Sequence, residues 1–309
     1  MRFDLLSLKL FVVACEQQSI SRAAEIEHIA ASAVSKRISD IERALKTPLF
    51  RRGAKGLELL PAAHALLHHA RVILRDVVMM ETELADHAQG ARGQVRIYAS
   101  VSTIVQYLPG DLSAFLDRYP AIRIDLSEGT SQEVIRAVAE NAADIGIFGG
   151  SPPMAGIRTL PYRSDRLVVI MPPGHPLSGA GRVRFAEVAA HDLVGPQKGS
   201  YLDQLVMRAA ADLNHPLRLR IRVNGFEPAS SMVEAKLGVA LVPEQHAARF
   251  AASAHLVAVP LDEDWATRHW RICVRDTDQL PPPVQLLVGH LATRCKATDS
   301  SGQTAPAPD

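Results

Sequence analysis

A chain of 309 residues, 47% of them hydrophobic, is long enough for two or three domains with sizeable cores. With 22% charged residues and a formal net charge of +1 it does not read as a disordered chain, and the whole-chain balance makes no case for nucleic acid or a membrane surface. Cys15, Cys273 and Cys295 stand far apart with no CxxC or Cys–His ligand spacing, which excludes a sequence-evident zinc site or disulfide scaffold and predicts a reducing, cytoplasmic setting.

The first apolar stretch, Leu8 to Cys15, carries Lys9 and ends without a small-residue cleavage site, so it does not read as a secretory signal. No window reaches the roughly 20 apolar residues of a membrane helix. Leu5, Leu8, Phe11, Val12 and Cys15 have helical spacing instead. Ser19 and Ser21 offer caps for a short helix over Arg22–Ile26, His28-Ile29 is a break, and Ala31 to Lys46 reads as a third helix with Val34, Ile38, Ile41 and Leu45 facing inward. From Lys36 to Lys55 seven positive side chains (Lys36, Arg37, Arg43, Lys46, Arg51, Arg52, Lys55) meet two negative ones (Asp40, Glu42). A solvated helix face with a basic loop would explain the charge alone. Two short helices around a tight turn, the second basic on its outer face, make it a helix-turn-helix. Leu49-Phe50 then anchors back, and Arg51 to Leu59 has room for two strands around Lys55-Gly56, a wing.

Pro61 to Gln89 predicts one long helix with an apolar stripe of Ala63, Leu66, Ala70, Ile73, Val77 and Leu84. At 1.5 Å per residue it is a rod of roughly 42 Å. Such a stripe asks for a partner, the same helix of a second subunit, although a long core helix of the next domain would also satisfy it. Gly90-Ala91-Arg92-Gly93 reads as a hinge.

Beyond it, strands at Val95–Ala99, Ile122–Leu126 and Asp144–Phe148 alternate with a helix ending near Arg118 and one over Gln132–Glu140, a βαβαβ unit with a parallel sheet. A second set follows: strands at Leu167–Met171, near Leu193-Val194, at Leu219–Val223 and at Val239–Val242, with helices at Leu202–Leu213 and Pro228–Lys236. A strand at Trp270–Val274 and a helix at Val284–Cys295 complete it, and the small polar residues 297–309 read as a disordered tail.

Phe11, Ser19, Ala23-Ala24, Ser32–Ile38, Ile41-Glu42 and Leu49–Arg52 form one set of motifs; Asp144–Ile147, Pro172–Leu177 and Leu237–Pro243 form another. With them the chain, from residue 3 to about 296, resembles a LysR-type transcriptional regulator. The resemblance implies an α/β chain with an N-terminal all-α winged helix-turn-helix (1–60), a linker and dimerisation helix (61–90) and a periplasmic-binding-protein-like effector domain (91–296). That domain would have two α/β subdomains, 91–163 with 268–296 and 164–267, and the chain would cross between them near residues 163 and 267. It also implies double-stranded promoter or operator DNA, a small-molecule effector, dimers that pair into a tetramer, and RNA polymerase as partners. No membrane, metal or cofactor is implied. Ala30 stands where the family usually has a Ser or Thr cap, Ala31 where Gln commonly reads a base edge, and Leu60 and Ala63 replace the usual Thr and Gly at the linker entry.

Lys36, Arg43, Arg51, Arg52 and Lys55 would neutralise phosphates, while Ser32, Ser35 and Arg37 lie where a recognition helix enters the major groove. Arg43 could equally pair with Asp40 or Glu42. Ser100, Ser102 and Thr103 follow the first strand and would present hydroxyls at a helix start, an arrangement that suits an anion or simply caps the helix. Glu128 and Thr130, Phe148, Ser200 and Tyr201, and Asn224 and Phe226 all follow strands, at the ends where open α/β sheets bind ligands. By the resemblance these loops face the cleft.

A two-lobed cytoplasmic enzyme is the rival, but GxGxxG, GxxxxGK[ST] and GxSxG are all missing. His64 and His68, at i, i+4, lack an HExxH or a flanking carboxylate for a metal. A free-standing solute-binding protein would not carry a basic winged helix.

Overall fold

The computed structural model describes residues 3–53, 56–89, 92–150, 155–213, 216–250, 255–276 and 280–299. The chain divides into two compact units, residues 1–92 with 140–142 and the remainder.

In the first unit, α1 (Leu5–Gln17) starts where the Asp4 carboxylate accepts from Ser7 N at 2.7 Å, and ends at Gln18 in the left-handed region. Ser19, one of the two serines available as caps, caps α2 (Ile20–Ile26), and α3 (Ala31–Leu45) follows a turn at His28, φ 54°. Leu10, Ala14, Ala23, Ala24, Val34 and Ile38 pack together between the three helices. Leu45, expected inside, is exposed at the last residue of its helix. β1 (Phe50–Gly53) and β2 (Gly56–Leu59) pair antiparallel. Gly56 has φ 111°, and a Cβ there would lie 2.8 Å from the Gln18 carbonyl, so the hairpin seats against the α1–α2 turn only with glycine.

α4 (Pro61–Gln89) is one helix of 29 residues, as its pattern predicts. Its stripe splits in two. Ala63, Leu67 and Ala70 sink into a core with Leu8, Phe11, Ile41 and Leu49, so the winged helix itself covers the first turns. Ile73, Val78 and Met80 remain exposed further along.

In the second unit, β3 (Gly93–Ala99) pairs parallel with β4 (Ile122–Glu128) and β5 (Ile145–Gly149). The helix expected to end near Arg118 is two, α5 (Val101–Gln106) and α6 (Leu108–Arg118), and α7 is Ser131–Ala139. β6 runs from Ile157 to Met171, ten residues earlier than the apolar run suggested. Its first part is polar and holds Pro161 at a bulge opposite Trp270/Arg271 of β11 (Thr267–Arg275), which hides it from an alternation test. Up to Arg166, β6 pairs with β11; from Leu167 it pairs with β9 (Ala240–Pro243) and β10 (Val257–Pro260). β6 therefore belongs to two lobes. Lobe I holds β4-β3-β5-β11; lobe II adds the parallel pair β7 (Asp192–Pro196) and β8 (Arg218–Val223), joined through a Leu193–Val239 bridge.

Helices α8 (Phe185–Ala189), α9 (Tyr201–Asp212), α10 (Phe226–Glu234) and α11 (Glu244–Phe250) surround lobe II, whose core gathers Leu167–Met171, Phe185, Val206, Val233 and Val239–Val242. α12 (Pro282–Asp299) takes in residues 297–299 of the expected tail, because no Gly or Pro lies between Gly289 and Gly302. Residues 300–309 lie outside the described set, as do Gly90 and Ala91 of the hinge.

Candidate functional site

The first turns of α3 leave Ala31, Ser32, Ala33 and Lys36 exposed and Ser35 half-buried. Arg37 turns back. Its Nη1 donates to both Asp4 oxygens, at 3.2 and 3.1 Å, and to Ser7 Oγ at 2.9 Å, bracing α3 on α1. The Ser7 amide and hydroxyl, then Arg37, hold the Asp4 carboxyl below the usual range. Arg43 pairs with Asp40 at 2.9 Å, the alternative its sequence position left open. Arg51 forks onto Glu58 through Nε at 2.8 Å and Nη2 at 2.6 Å across the hairpin. Arg52 has its backbone in β1, while its side chain and all of Lys55 lie outside the described residues. Sequence reasoning missed Glu42, whose Oε1 accepts from Leu49 N at 2.8 Å and fixes the approach to the wing. An acid in an otherwise basic stretch was the available signal.

In the second unit a cleft opens between the lobes at the carboxyl ends of the parallel strands. The starts of α5, α7, α9 and α10 all reach it, and the expected Ser100, Ser102, Glu128, Thr130, Ser200, Tyr201, Asn224 and Phe226 line it. About 650 Å³ lies empty within its walls, the part open to solvent included, and about 50 Å³ of that is enclosed room for a few waters.

Two expected residues are elsewhere. Phe148, 1% exposed, is buried within β5, a strand covered on both faces with all five residues buried, and does not line the cleft. Thr103 is fully buried and donates to the Ser100 carbonyl at 2.9 Å, a cap inside the turn. Thr130 lines the cleft but gives its hydroxyl to Glu133 at 2.8 Å, and Ser200 Oγ accepts from Asp203 N at 3.1 Å, so each also starts its own helix. Thr130's amide and hydroxyl hold the Glu133 carboxyl low. Asn224 Nδ2 reaches across to Glu128 Oε1 at 3.5 Å.

Tyr201 of lobe II packs closely on lobe I. Its ring lies where a Cβ on Gly149 would sit, 2.1 Å from Cδ1, and meets Trp270 edge-on at 5.7 Å. Behind Trp270 lies a polar cluster that sequence reasoning missed. Asp165 and Arg268 face each other across β6 and β11 and bond through Nε–Oδ1 at 2.7 Å and Nη2–Oδ2 at 2.6 Å, both buried. Trp270 Nε1 and Gln106 Nε2 donate to the same carboxylate at 3.1 and 3.3 Å, and Arg268 Nη1 reaches Ser102 Oγ at 3.5 Å. The guanidinium also lies 4.8 Å from the Trp270 ring centre. Ser131, also unanticipated, lines the cleft and accepts from Gly149 N at 3.3 Å.

Burial pushes the Cys15 and Cys273 thiols up to about 12, which keeps them protonated and inert. Among the described residues no group of three or more His, Cys, Asp or Glu is placed to hold a metal, and no helix is long and apolar enough to cross a membrane.

Comparison with known proteins gives two family matches: the bacterial regulatory helix-turn-helix protein, lysR family, over residues 5–64, and the LysR substrate binding domain over residues 88–296. A curated relative, the RuBisCO operon transcriptional regulator of Allochromatium vinosum, is 26% identical over 91% of this chain and 93% of its own. A full-length OxyR variant from Pseudomonas aeruginosa superposes with a TM-score of 0.72 at 18% identity, covering 99% of each chain. Full-length CbnR complexed with its target DNA gives 0.67 at 21% identity, covering 94% of this chain and 99% of that one.

Proposed function

Because the chain belongs to the LysR family of helix-turn-helix transcriptional regulators, we propose that it binds operator DNA through residues 1–60 and answers to a small carboxylate held in the interlobe cleft. The observation that carries this reading is the cleft: helix starts from both lobes converge at the carboxyl ends of the strands, the place where open α/β sheets take ligands. The nine-residue α7 and α10 and the twelve-residue α9 each bring partial positive charge to it, and Ser100 and Ser102 add neutral donors.

On the DNA side, Ser32 and Ser35 face the groove, and Lys36, Arg43, Arg51, Arg52 and Lys55 neutralise phosphates. Arg43 and Arg51 are held in exposed ion pairs, which water and salt screen and a phosphate can displace. Arg37 acts as a brace for α3, not as a base reader. Residues 61–90 link two copies through Ile73, Val77 and Met80, dimers pair through residues 91–296 into a tetramer, and RNA polymerase is the further partner. Closure of the lobes, 91–163 with 268–296 against 164–267, re-spaces the winged domains by as much as the ligand's differential affinity allows. The chain acts as a cytoplasmic regulator and not as an enzyme, as its relatives' names suggest.

A gel shift with the DNA upstream of its own operon tests the first half. The double change Ser100→Ala with Ser102→Ala tests the second in a reporter: the effector response weakens while effector-free DNA binding stays. An unchanged dose–response moves the ligand away from these hydroxyls, and loss of DNA binding makes them structural caps.

A further inference from the structure

The charges around the cleft narrow what can occupy it. Among the described lining residues Glu128 is the one acidic or basic side chain, and no Lys, Arg or His accompanies it. Arg268, behind Ser102, is already matched by the two oxygens of Asp165. Glu128 is exposed, and among the described residues it meets no cation; its contact is the long bond from Asn224, a neutral amide.

Its position is set by the sheet. Glu128 ends β4 in register with Ala99 at the end of β3, so its backbone stands one strand spacing, about 5 Å, from the strand end that delivers Ser100 and Ser102. Ser102 and Ser131 line the same cleft and are more than nine-tenths buried. Each hydroxyl oxygen already accepts a bond, from Arg268 and from Gly149. Neither hydroxyl proton has an acceptor among the described residues, so both are left to donate into the cleft. A buried donor without an acceptor is costly, and a ligand carboxylate would satisfy two at once.

A plain anion would meet those donors and then the uncompensated charge of Glu128 beside them. A molecule carrying a cation next to its carboxylate uses both features. We propose that the effector is a zwitterion of the amino-acid type. Its carboxylate takes the Ser102 and Ser131 hydroxyls, its ammonium takes Glu128, and an apolar side chain lies on Val194, Phe226 and Leu241 of lobe II. This rests on the reading of the cleft as the effector site.

The test is calorimetric titration of the full-length protein with each apolar L-amino acid and with the deaminated acid of the same skeleton, such as L-leucine against 4-methylpentanoate and L-phenylalanine against 3-phenylpropanoate. At least one amino acid is expected to bind tenfold or more tightly than its deaminated partner. Glu128→Gln, which keeps the shape and the Asn224 contact, is expected to erase that preference by weakening the amino acid alone. Deaminated acids that bind the wild type as well or better, with Ser102→Ala abolishing their binding, overturn the zwitterion and leave the cleft reading standing. Amino-acid binding that survives Glu128→Gln unchanged also overturns it. Binding by neither series, or binding indifferent to Ser102→Ala, overturns the cleft reading and this inference with it.

Discussion

On the recognition helix and the wing, two guanidinium groups meet carboxylates in the open. The Arg43–Asp40 side chains are 77% and 47% exposed and the Arg51–Glu58 side chains 67% and 59%, and each pair is local in sequence. In the second unit the Arg268–Asp165 side chains are 0% and 2% exposed, and the partners stand 103 residues apart. Arg163 and Asp111 repeat the pattern, with Tyr162 donating to the same carboxylate at 2.7 Å. Exposed pairs cost little to break and are strongly screened, so their cations can be handed to a phosphate. Buried pairs cannot be opened singly, because the abandoned charge stays in low dielectric. The exposed pairs of the winged helix keep their charges exchangeable for a polyanion; the buried pairs on β6 lock theirs where that strand passes from one lobe to the other.

Breaking a locked pair should give the largest effect. Arg268→Met leaves Asp165 buried with only the Trp270 and Gln106 donors, and is expected to cost about 3–5 kcal/mol of unfolding free energy. Urea denaturation measures it. Adding Asp165→Leu should recover much of the loss, though not all, since those two donors then lose their acceptor. A double variant no better than the single one would show that the pair matters through packing rather than charge.

Assembly comes next. Ile73, Val78 and Met80 are apolar, exposed and on the part of α4 beyond the winged-helix core, so in the proposed dimer Ile73→Asp places a charge in the seam at a cost of several kcal/mol. In analytical ultracentrifugation the variant is expected to dissociate at concentrations where the wild type stays associated. A wild type that is monomeric at micromolar concentration removes the seam.

The exchangeable side gives a smaller change in stability and a specific one in binding. Replacing Arg51, Arg52 and Lys55 together by Ala should leave folding stability nearly unchanged in urea denaturation, because the Arg51–Glu58 pair is exposed and screened. Operator and random DNA should weaken alike, with the salt slope shallower by up to about 0.9 per lost phosphate contact. Wild-type affinity and slope would take the wing off the DNA.

The same contrast explains what could be read from the residues alone. The winged helix was legible almost to its ends because each element announces itself locally: the Ser19 cap, the Val34–Ile38–Ile41 stripe, the basic run through Arg52. The strand-end loops were legible for the same reason, since the position after a strand is where such sheets bind ligands. Asp165, Arg268 and Trp270 were not, because a cross-strand pair 103 residues apart has no spacing signature, and polar residues with Pro161 among them do not look like a strand. Phe148 and Thr103 were misplaced because residue type does not show that β5 is covered on both faces, or that a hydroxyl one turn into a helix bonds the turn itself.

The smallest expected effect concerns the start of α3. Ala30 has the extended backbone of a cap, φ −68° and ψ 137°, but no side chain to accept from the helix. Ala33 N and Val34 N already bond the Ala30 carbonyl, at 2.9 and 3.2 Å, so the amides a Ser at position 30 could gain are those at the first turn, chiefly Ser32. Ala30→Ser should therefore raise stability by about 0.5–1 kcal/mol, near the low end for a new cap. An uncapped helix start is also a phosphate site, because its free N–H groups point outward, and Ala31 and Ser32 are exposed on the recognition helix. If those amides serve a DNA phosphate, the new hydroxyl competes for them, and operator affinity in a gel shift should fall as stability in urea rises. Stability that rises with affinity unchanged would mean that no phosphate sits there, and the charges that hold DNA would be confined to side chains.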